Sequence, residues 1–274
     1  MDNINLTSEL LANGGLFIGR SWLRYLVVCG GAFLLFWVLF AQRLAHRRCQ
    51  STIPDRKALL GELKTSLLGI IFFMIPSIAA IPLYFSGHIK LITDLDATPL
   101  GVNMLSFALF VIGADAWFYW MHRLMHHSRL YRLTHALHHR SEQPSPLAGY
   151  AFSLAESLLL GAYMPLVLLF FPINRAVFYV FVLWFALVEA YVHLGFEVFP
   201  RWVARNPLGK YLGTAVFHDM HHENGAYNFA VYFTWWDRMM GTIHPKYTER
   251  YEQVTAKPLF WRAPAPIEGP EVAG

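Results

Sequence analysis

Charge is scarce in this chain. Of its 274 residues, 15% are Asp, Glu, Lys or Arg, while 55% are hydrophobic and 16% aromatic; an ordinary soluble domain carries about 25% charged residues. That balance excludes a disordered chain and argues against a simple water-soluble globule. Cysteine is scarcer still. Cys29 lies in an apolar run and Cys49 in a basic loop, so neither a disulfide framework nor a thiolate cluster for zinc or iron–sulfur has support. There is no G-x-G-x-x-G dinucleotide fingerprint and no repeat at a fixed period. The net charge of +4 is modest, and its Lys and Arg sit between apolar runs rather than along one face, which makes nucleic-acid binding a poor reading.

What is present is long apolar runs. A helix needs about 20 mostly apolar residues to span the hydrocarbon core. Tyr25 to Gln42 and Thr65 to Gly87 carry no charge, and Pro76 and Pro82 predict kinks in the second. Leu100 to Met121 is apolar except for Asp115, Leu147 to Phe171 except for Glu156, and Ala176 to Leu194 except for Glu189. The fold class is therefore all-α: a polytopic membrane bundle of four to five spanning helices, the last two joined by the turn Pro172-Ile173-Asn174. The first run is too long and too late for a cleavable signal peptide.

Basic residues set the orientation. The first connection carries Arg43, Arg47, Arg48, Arg56, Lys57 and Lys64, and the third Arg123, Arg129, Arg132 and Arg140. The second has only Lys90 and the fourth only Arg175. The first and third connections are predicted to be cytosolic and the N-terminus external. From Arg201 onward, mixed polarity with Trp202, Tyr211, Trp235 and Trp236 predicts a cytosolic helical cap against the membrane. Three domains follow: 1–99 as membrane anchor, 100–261 as the catalytic part and 262–274 as a disordered tail.

Histidine is the other surplus. There are 13, and all but His46, His88 and His244 fall between His122 and His222. On this topology His122, His126, His135, His138, His139, His193, His218, His221 and His222 all reach the cytosolic face. The topology came from Lys and Arg alone, so the agreement is independent of it. His122 and His126 are spaced i, i+4; His135, His138, His139 and His218, His221, His222 are each spaced i, i+3, i+4, so each set shares a helix face. Imidazoles one turn apart can aim nitrogens at one cation from about 2.1 Å. One His-x-x-x-His arises readily by chance and a His-rich surface can be merely solvated, but three such clusters on one side of a membrane point to metal. Nine ligands exceed one ion, so the site is predicted to be dinuclear. His127 points about 100 degrees from His126 on a helix, and His46, His88 and His244 fall outside the pattern.

At these residues the sequence resembles the fatty acid hydroxylase/sterol desaturase superfamily of membrane di-iron enzymes. Its His-Arg-x-x-His pattern is matched by His122-Arg123-Leu124-Met125-His126. Its two His-x-x-His-His patterns are matched by His135-Ala136-Leu137-His138-His139 and His218-Asp219-Met220-His221-His222. His193-Leu194-Gly195-Phe196-Glu197 resembles the family's isolated histidine. Asn228 with Trp236-Asp237-Arg238-Met239-Met240-Gly241-Thr242 resembles its closing signature. The match runs from about Asp115 to Thr242, with wording nearest the sterol C4-methyl oxidase and C5-desaturase branch. One departure stands out: Ser153 occupies a position where relatives often carry histidine.

The resemblance implies two iron ions, O2, and a lipid or sterol substrate hydroxylated or desaturated at a C–H bond. Imidazole alone accommodates several metals, so the residues do not choose iron. With no cofactor-binding motif in the chain, an external donor such as cytochrome b5 or a ferredoxin with its reductase is implied. The acids near the histidines are expected to support the ligands. Asp115 lies seven residues before His122 and Glu189 four before His193, both positioned to accept the second ring N–H; Asp219 and Glu197 are expected to do likewise. Glu156 either lines the substrate cavity or bonds a histidine. Asn228 and Asp237 either hold the cap's fold or support the site, and Arg123 is expected to pair with a carboxylate or headgroup.

Two other classes compete. A metal transporter or sensor needs polar residues along a membrane route, and a zinc hydrolase usually has fewer histidines, an open metal position and a carboxylate base. The compact chain favours a bacterial inner membrane over the endoplasmic reticulum; Asn5-Leu6-Thr7 is a lone glycosylation sequon on the external side.

Overall fold

A computed structural model describes residues 6–94 and 97–260. Asn5 of the sequon and the tail 262–274 lie outside the described residues. The described residues are mostly helical, with four helices among them long and apolar enough to cross a membrane. The first begins as α1 (Leu6–Tyr25) and continues through two π-helical stretches, Leu26–Gly30 and Leu34–Leu39. It starts well before the predicted Tyr25. Arg20 and Arg24 interrupt the hydropathy, but helix propagation needs only unbroken backbone bonds, and this half is anchored: Ser21 Oγ donates to Met74 Sδ at 3.3 Å.

α2 (Arg56–Ala79) opens on an Asp55 cap whose carboxylate accepts from Ala58 N at 2.7 Å, and Pro76 lies within it. α3 is Leu100–Met125. The fourth apolar run is not one spanning helix. Pro146–Tyr150 is a 3-10 turn, and only then come α4 (Leu154–Gly161) and α5 (Tyr163–Phe170). Ser153 explains the restart, since its side chain accepts from Glu156 N and caps α4. α6 (Arg175–Val192) completes the bundle.

The irregular segment 146–153 is wedged inside. Tyr25 Oη and Ser66 Oγ both donate to Leu147 O, at 2.8 and 2.6 Å. Close approach of α2 to this segment and to α4 depends on glycine. A Cβ on Gly69 would sit 2.1 Å from Tyr150 O, and one on Gly161 2.3 Å from Phe73 O.

Connections gather at opposite ends, in the order the basic residues predict. At one end Leu91–Ile92 pairs in parallel with Ile173–Asn174. At the other, buried Arg47 donates to Glu197 O (2.8 Å), Lys257 O (3.1 Å) and Phe199 O, tying the first connection to the segment after α6. Over that end lie α7 (Ala215–Glu223), α8 (Trp235–Met240) and α9 (Tyr247–Val254), packed around Phe217, Tyr247 and Tyr251.

Candidate metal centre

Four elements deliver the histidines. His122 lies in the last turn of α3 and His126 is its C-cap. His135 caps a short helical turn, Tyr131–Thr134, and His138–Arg140 is a 3-10 turn. His193 is the C-cap of α6. α7, started by Thr214 whose hydroxyl accepts from Phe217 N, carries His218, His221 and His222.

The nine rings form two groups. His122, His126, His135, His139 and His221 make one, and His138, His193, His218 and His222 the other; within each, one ligand nitrogen per residue lies within 4.8 Å of every other. The sequence boxes do not map one to a group. Each His-x-x-His-His contributes its i, i+4 pair to one group and its i+3 member to the other. The geometry explains this: i+3 and i+4 lie 100° apart around a helix, on either side of residue i. His135 and His138–His139 reach the same division from a helix cap and a 3-10 turn rather than one α-helix, which the spacing did not predict.

The hydrogen bonds fix which nitrogens carry protons. A carbonyl only accepts, so His122 Nδ1 donates to Phe229 O (2.6 Å), His221 Nδ1 to Tyr227 O (2.6 Å) and His193 Nδ1 to Glu189 O (2.8 Å). Their Nε2 atoms then bear lone pairs, and these face other imidazoles. His122 Nε2 is 2.7 Å from His135 Nε2, and His221 Nε2 3.0 Å from His139 Nε2. His193 Nε2 is 3.0 Å from His218 Nε2 and 3.3 Å from His138 Nε2, with His222 Nε2 3.2 Å from His218 Nε2. His126 Nε2 and the Nδ1 atoms of His138, His218 and His222 are buried without a partner. Converging lone pairs and orphaned buried nitrogens are costly. Two cations would satisfy the converging Nε2 atoms, so the donor set fits two metal ions.

Burial keeps the rings neutral, the form that ligates. Desolvation pushes His126 down to about 2 and His139 and His193 to about 4. It holds His135, His138, His218, His221 and His222 well below the usual histidine range, with neighbouring imidazoles adding to the effect.

The acids divide. Glu156 Oε1 lies 2.6 Å from His135 Nδ1, so of its two expected roles it takes the histidine bond. Glu189 supports His193 by its backbone carbonyl; the carboxylate stands 3.8 Å away. Asp115 touches no histidine. It accepts from Phe233 N at 3.0 Å and from Trp235 Nε1, pinning the cap to α3. Seven residues amount to about 10.5 Å along the axis, beyond a carboxylate's reach, and His122 Nδ1 is already satisfied by Phe229. Asp219 Oδ1 accepts from Gln50 Nε2 at 3.0 Å, and burial raises its pKa to about 8. Glu197 accepts from Phe199 N, Val216 N and Tyr191 Oη. Neither bonds a histidine: both side chains tie the cap to its neighbours.

Asp237 accepts from Phe229 N (2.9 Å), Ala230 N (2.8 Å) and Thr242 Oγ1 (2.6 Å). It thereby holds the peptide whose carbonyl receives His122. Asn228, at φ 59°, donates to Phe217 O and accepts from His244 N. Both fold the cap, and Asp237 reaches the site through one peptide. Arg123 donates to Tyr119 Oη and lies 6.0 Å over the Trp120 ring. His127 is exposed, and His244 meets Tyr227 edge-on with ring centroids 5.0 Å apart; neither joins a group. The carbonyls of Phe229, Tyr227 and Glu189 were not foreseen, because a backbone acceptor has no sequence signature. Buried Glu62, which accepts from Ser145 Oγ at 2.5 Å, was hidden among Lys57 and Lys64.

The family model for Fatty acid hydroxylase matches residues 107–242, the stretch holding all nine histidines of the two groups. Methylsterol monooxygenase 1 of Gallus gallus is 30% identical over 246 residues, covering 85% of this chain and 78% of that protein. The chain belongs to the fatty acid hydroxylase family. Other relatives of this member lie in the same sterol branch. A Delta(7)-sterol 5(6)-desaturase of Aspergillus fumigatus is 30% identical over 171 residues, 62% of this chain and 46% of that protein. Lathosterol oxidase of Homo sapiens is 28% identical over 187, 66% of this chain and 60% of that protein. No solved structure matches the chain. The four apolar helices and this membership make it an integral membrane protein. These relatives are vertebrate and fungal, so they give the expected bacterial inner membrane no support.

Proposed function

We propose that this chain is a membrane-bound, O2-dependent di-iron oxidoreductase that hydroxylates or desaturates a C–H bond of a lipid or sterol. The observation that carries this is the convergence of nine imidazoles into two groups, with Nε2 atoms facing one another at close range. Family membership makes the chain an oxidative lipid enzyme, and its sterol-oxidising relatives support a lipid or sterol substrate.

His122, His126, His135, His139 and His221 would hold one iron, and His138, His193, His218 and His222 the other. Bound there, two irons supply the redox chemistry that couples O2 reduction to hydrogen abstraction from an unactivated carbon. The rest is done by the chain. The carbonyls of Phe229, Tyr227 and Glu189 keep the protons of His122, His221 and His193 on Nδ1, and Glu156 orients His135. Asp237 keeps the Phe229 peptide in place. Phe229 lies against His126 (5.3 Å between centroids) and Phe152 against His138 (5.4 Å), giving each group an apolar neighbour.

The histidine end faces the cytosol in this reading, with 1–99 as anchor and 100–261 as the catalytic part under a cytosolic cap. Electrons come from a separate donor of the cytochrome b5 or ferredoxin type. Lipid profiling of cells lacking the gene tests the proposal. Wild type and His88→Ala are expected to restore the missing oxidised lipid, whereas His138→Ala and His221→Ala restore none. Equal restoration by all four would remove the assignment.

A further inference from the structure

A cavity of about 380 Å3 lies inside the bundle, among α1, α2, α3, α5 and α6. Its wall toward the histidines is aromatic. Phe118 lines it and packs 5.1 Å from the His122 ring. Tyr150 also lines it, 6.0 Å from Phe152, which backs onto His138. The size suits a small amphiphile. The charged lining is of one sign: Arg20, Arg24 and Arg175 reach the cavity, and among the described residues no Asp or Glu does.

Arg20 and Arg24 are one turn apart on the same face of α1, inside the membrane-spanning stretch Leu10–Leu39. Arg24 stands level with the apolar middle of α2, because its neighbours Ser21 and Trp22 bond to Met74 and to Leu67 O. Among the described residues no carboxylate lies within 4.0 Å of either guanidinium. Arg24 donates from one Nη to Ser21 Oγ at 3.1 Å and also bonds the Tyr150 hydroxyl, and its Nε is buried without a partner. An arginine remains charged in any protein environment. Held in a membrane span with no counter-charge it is costly, and such residues mark function. Its planar fork suits a carboxylate or phosphate, which it can grip with two bonds.

We propose that this cavity binds an acidic amphiphile, an apolar body ending in a carboxylate or phosphate, and that Arg24 and Arg20 receive the anionic group. This names the substrate class of the proposed oxidation and so rests on that reading. The aromatic walls take the apolar body, and the charge pairing sets how the molecule enters.

Equilibrium binding to the purified full-length protein in neutral-lipid nanodiscs tests it, with hexadecanoate, hexadecyl phosphate, hexadecanol and cholesterol as probes. One or both acids are expected to bind about 10- to 100-fold more tightly than hexadecanol, the range of charge-assisted hydrogen bonds; which acid binds better separates the two anion sources. Arg24→Gln is expected to abolish that preference while leaving hexadecanol binding unchanged, which also reports folding. Arg20→Gln, at an exposed position, is expected to weaken the preference and serves if Arg24→Gln does not fold. Equal binding of acid and alcohol, or of acid and cholesterol, overturns the proposal, as does a preference that survives both substitutions. Binding is read without turnover. Loss of the arginine effect therefore leaves metal-dependent oxidation standing, while tight acid binding with no oxidation of any lipid contradicts the functional reading and upholds this site.

Discussion

A partner at the outer nitrogen fixes a ligand imidazole's tautomer and orientation. His135 shows this most clearly, because its outer nitrogen meets the carboxylate of Glu156 in a fully buried setting. Glu156→Ala is expected to lower metal affinity about 10- to 100-fold, the usual effect of removing a ligand's outer partner. Metal competition with a chelator measures it, and an unchanged affinity would mean that Glu156 does not orient His135. The sequence made the histidines legible because their side chains do the work and their spacings are conspicuous. It made the supporting groups only partly legible. Glu156 was identified with two roles open, and Glu189 by residue but not by atom. Asp115, Asp219 and Glu197 looked like supports because they lie near histidines in sequence. In space the carboxylates of Asp115 and Glu197 meet backbone N–H groups of the cap, and that of Asp219 meets Gln50 of the first connection.

Among the elements, the segment 146–153, a 3-10 turn followed by irregular chain, is what makes the histidine end possible. It brings Phe152 against His138 and leads into the α4 turn that carries Glu156. Its place depends on α2 having no side chain at Gly69, where a Cβ would meet Tyr150 O at 2.1 Å. Gly69→Ala is expected to cost about 1–3 kcal/mol, the usual price of overpacking, and to lower the thermal unfolding midpoint. An unchanged midpoint would mean that α2 and this segment are not packed so closely. Hydropathy located the long apolar helices but misread this run as continuous, because Leu147 to Phe171 is apolar whether or not its backbone is helical. It also placed the start of the first helix too late, since Arg20 and Arg24 break an apolar window without breaking a helix. Where side-chain character and backbone geometry coincide, as in α3 and α6, the sequence was sufficient.

For the whole molecule, the distribution of Arg and Lys and the placement of histidines meet in one topology. The two short strands pair at one end of the bundle, and Arg47 and the cap close the other. Ser86 and Ser128 are exposed at these opposite ends, while native Cys29 and Cys49 are buried. In right-side-out vesicles a membrane-impermeant maleimide is expected to label Ser86→Cys at once and Ser128→Cys only after permeabilisation; the reverse order would invert the orientation. The central claim is that the nine histidines hold two irons, one per group. Metal analysis of the purified active protein with iron Mössbauer spectroscopy tests it most directly. The account predicts two irons per chain in a coupled pair, with occupancy falling to about one or none in His193→Ala. Two zinc ions in active protein with no iron requirement would contradict it.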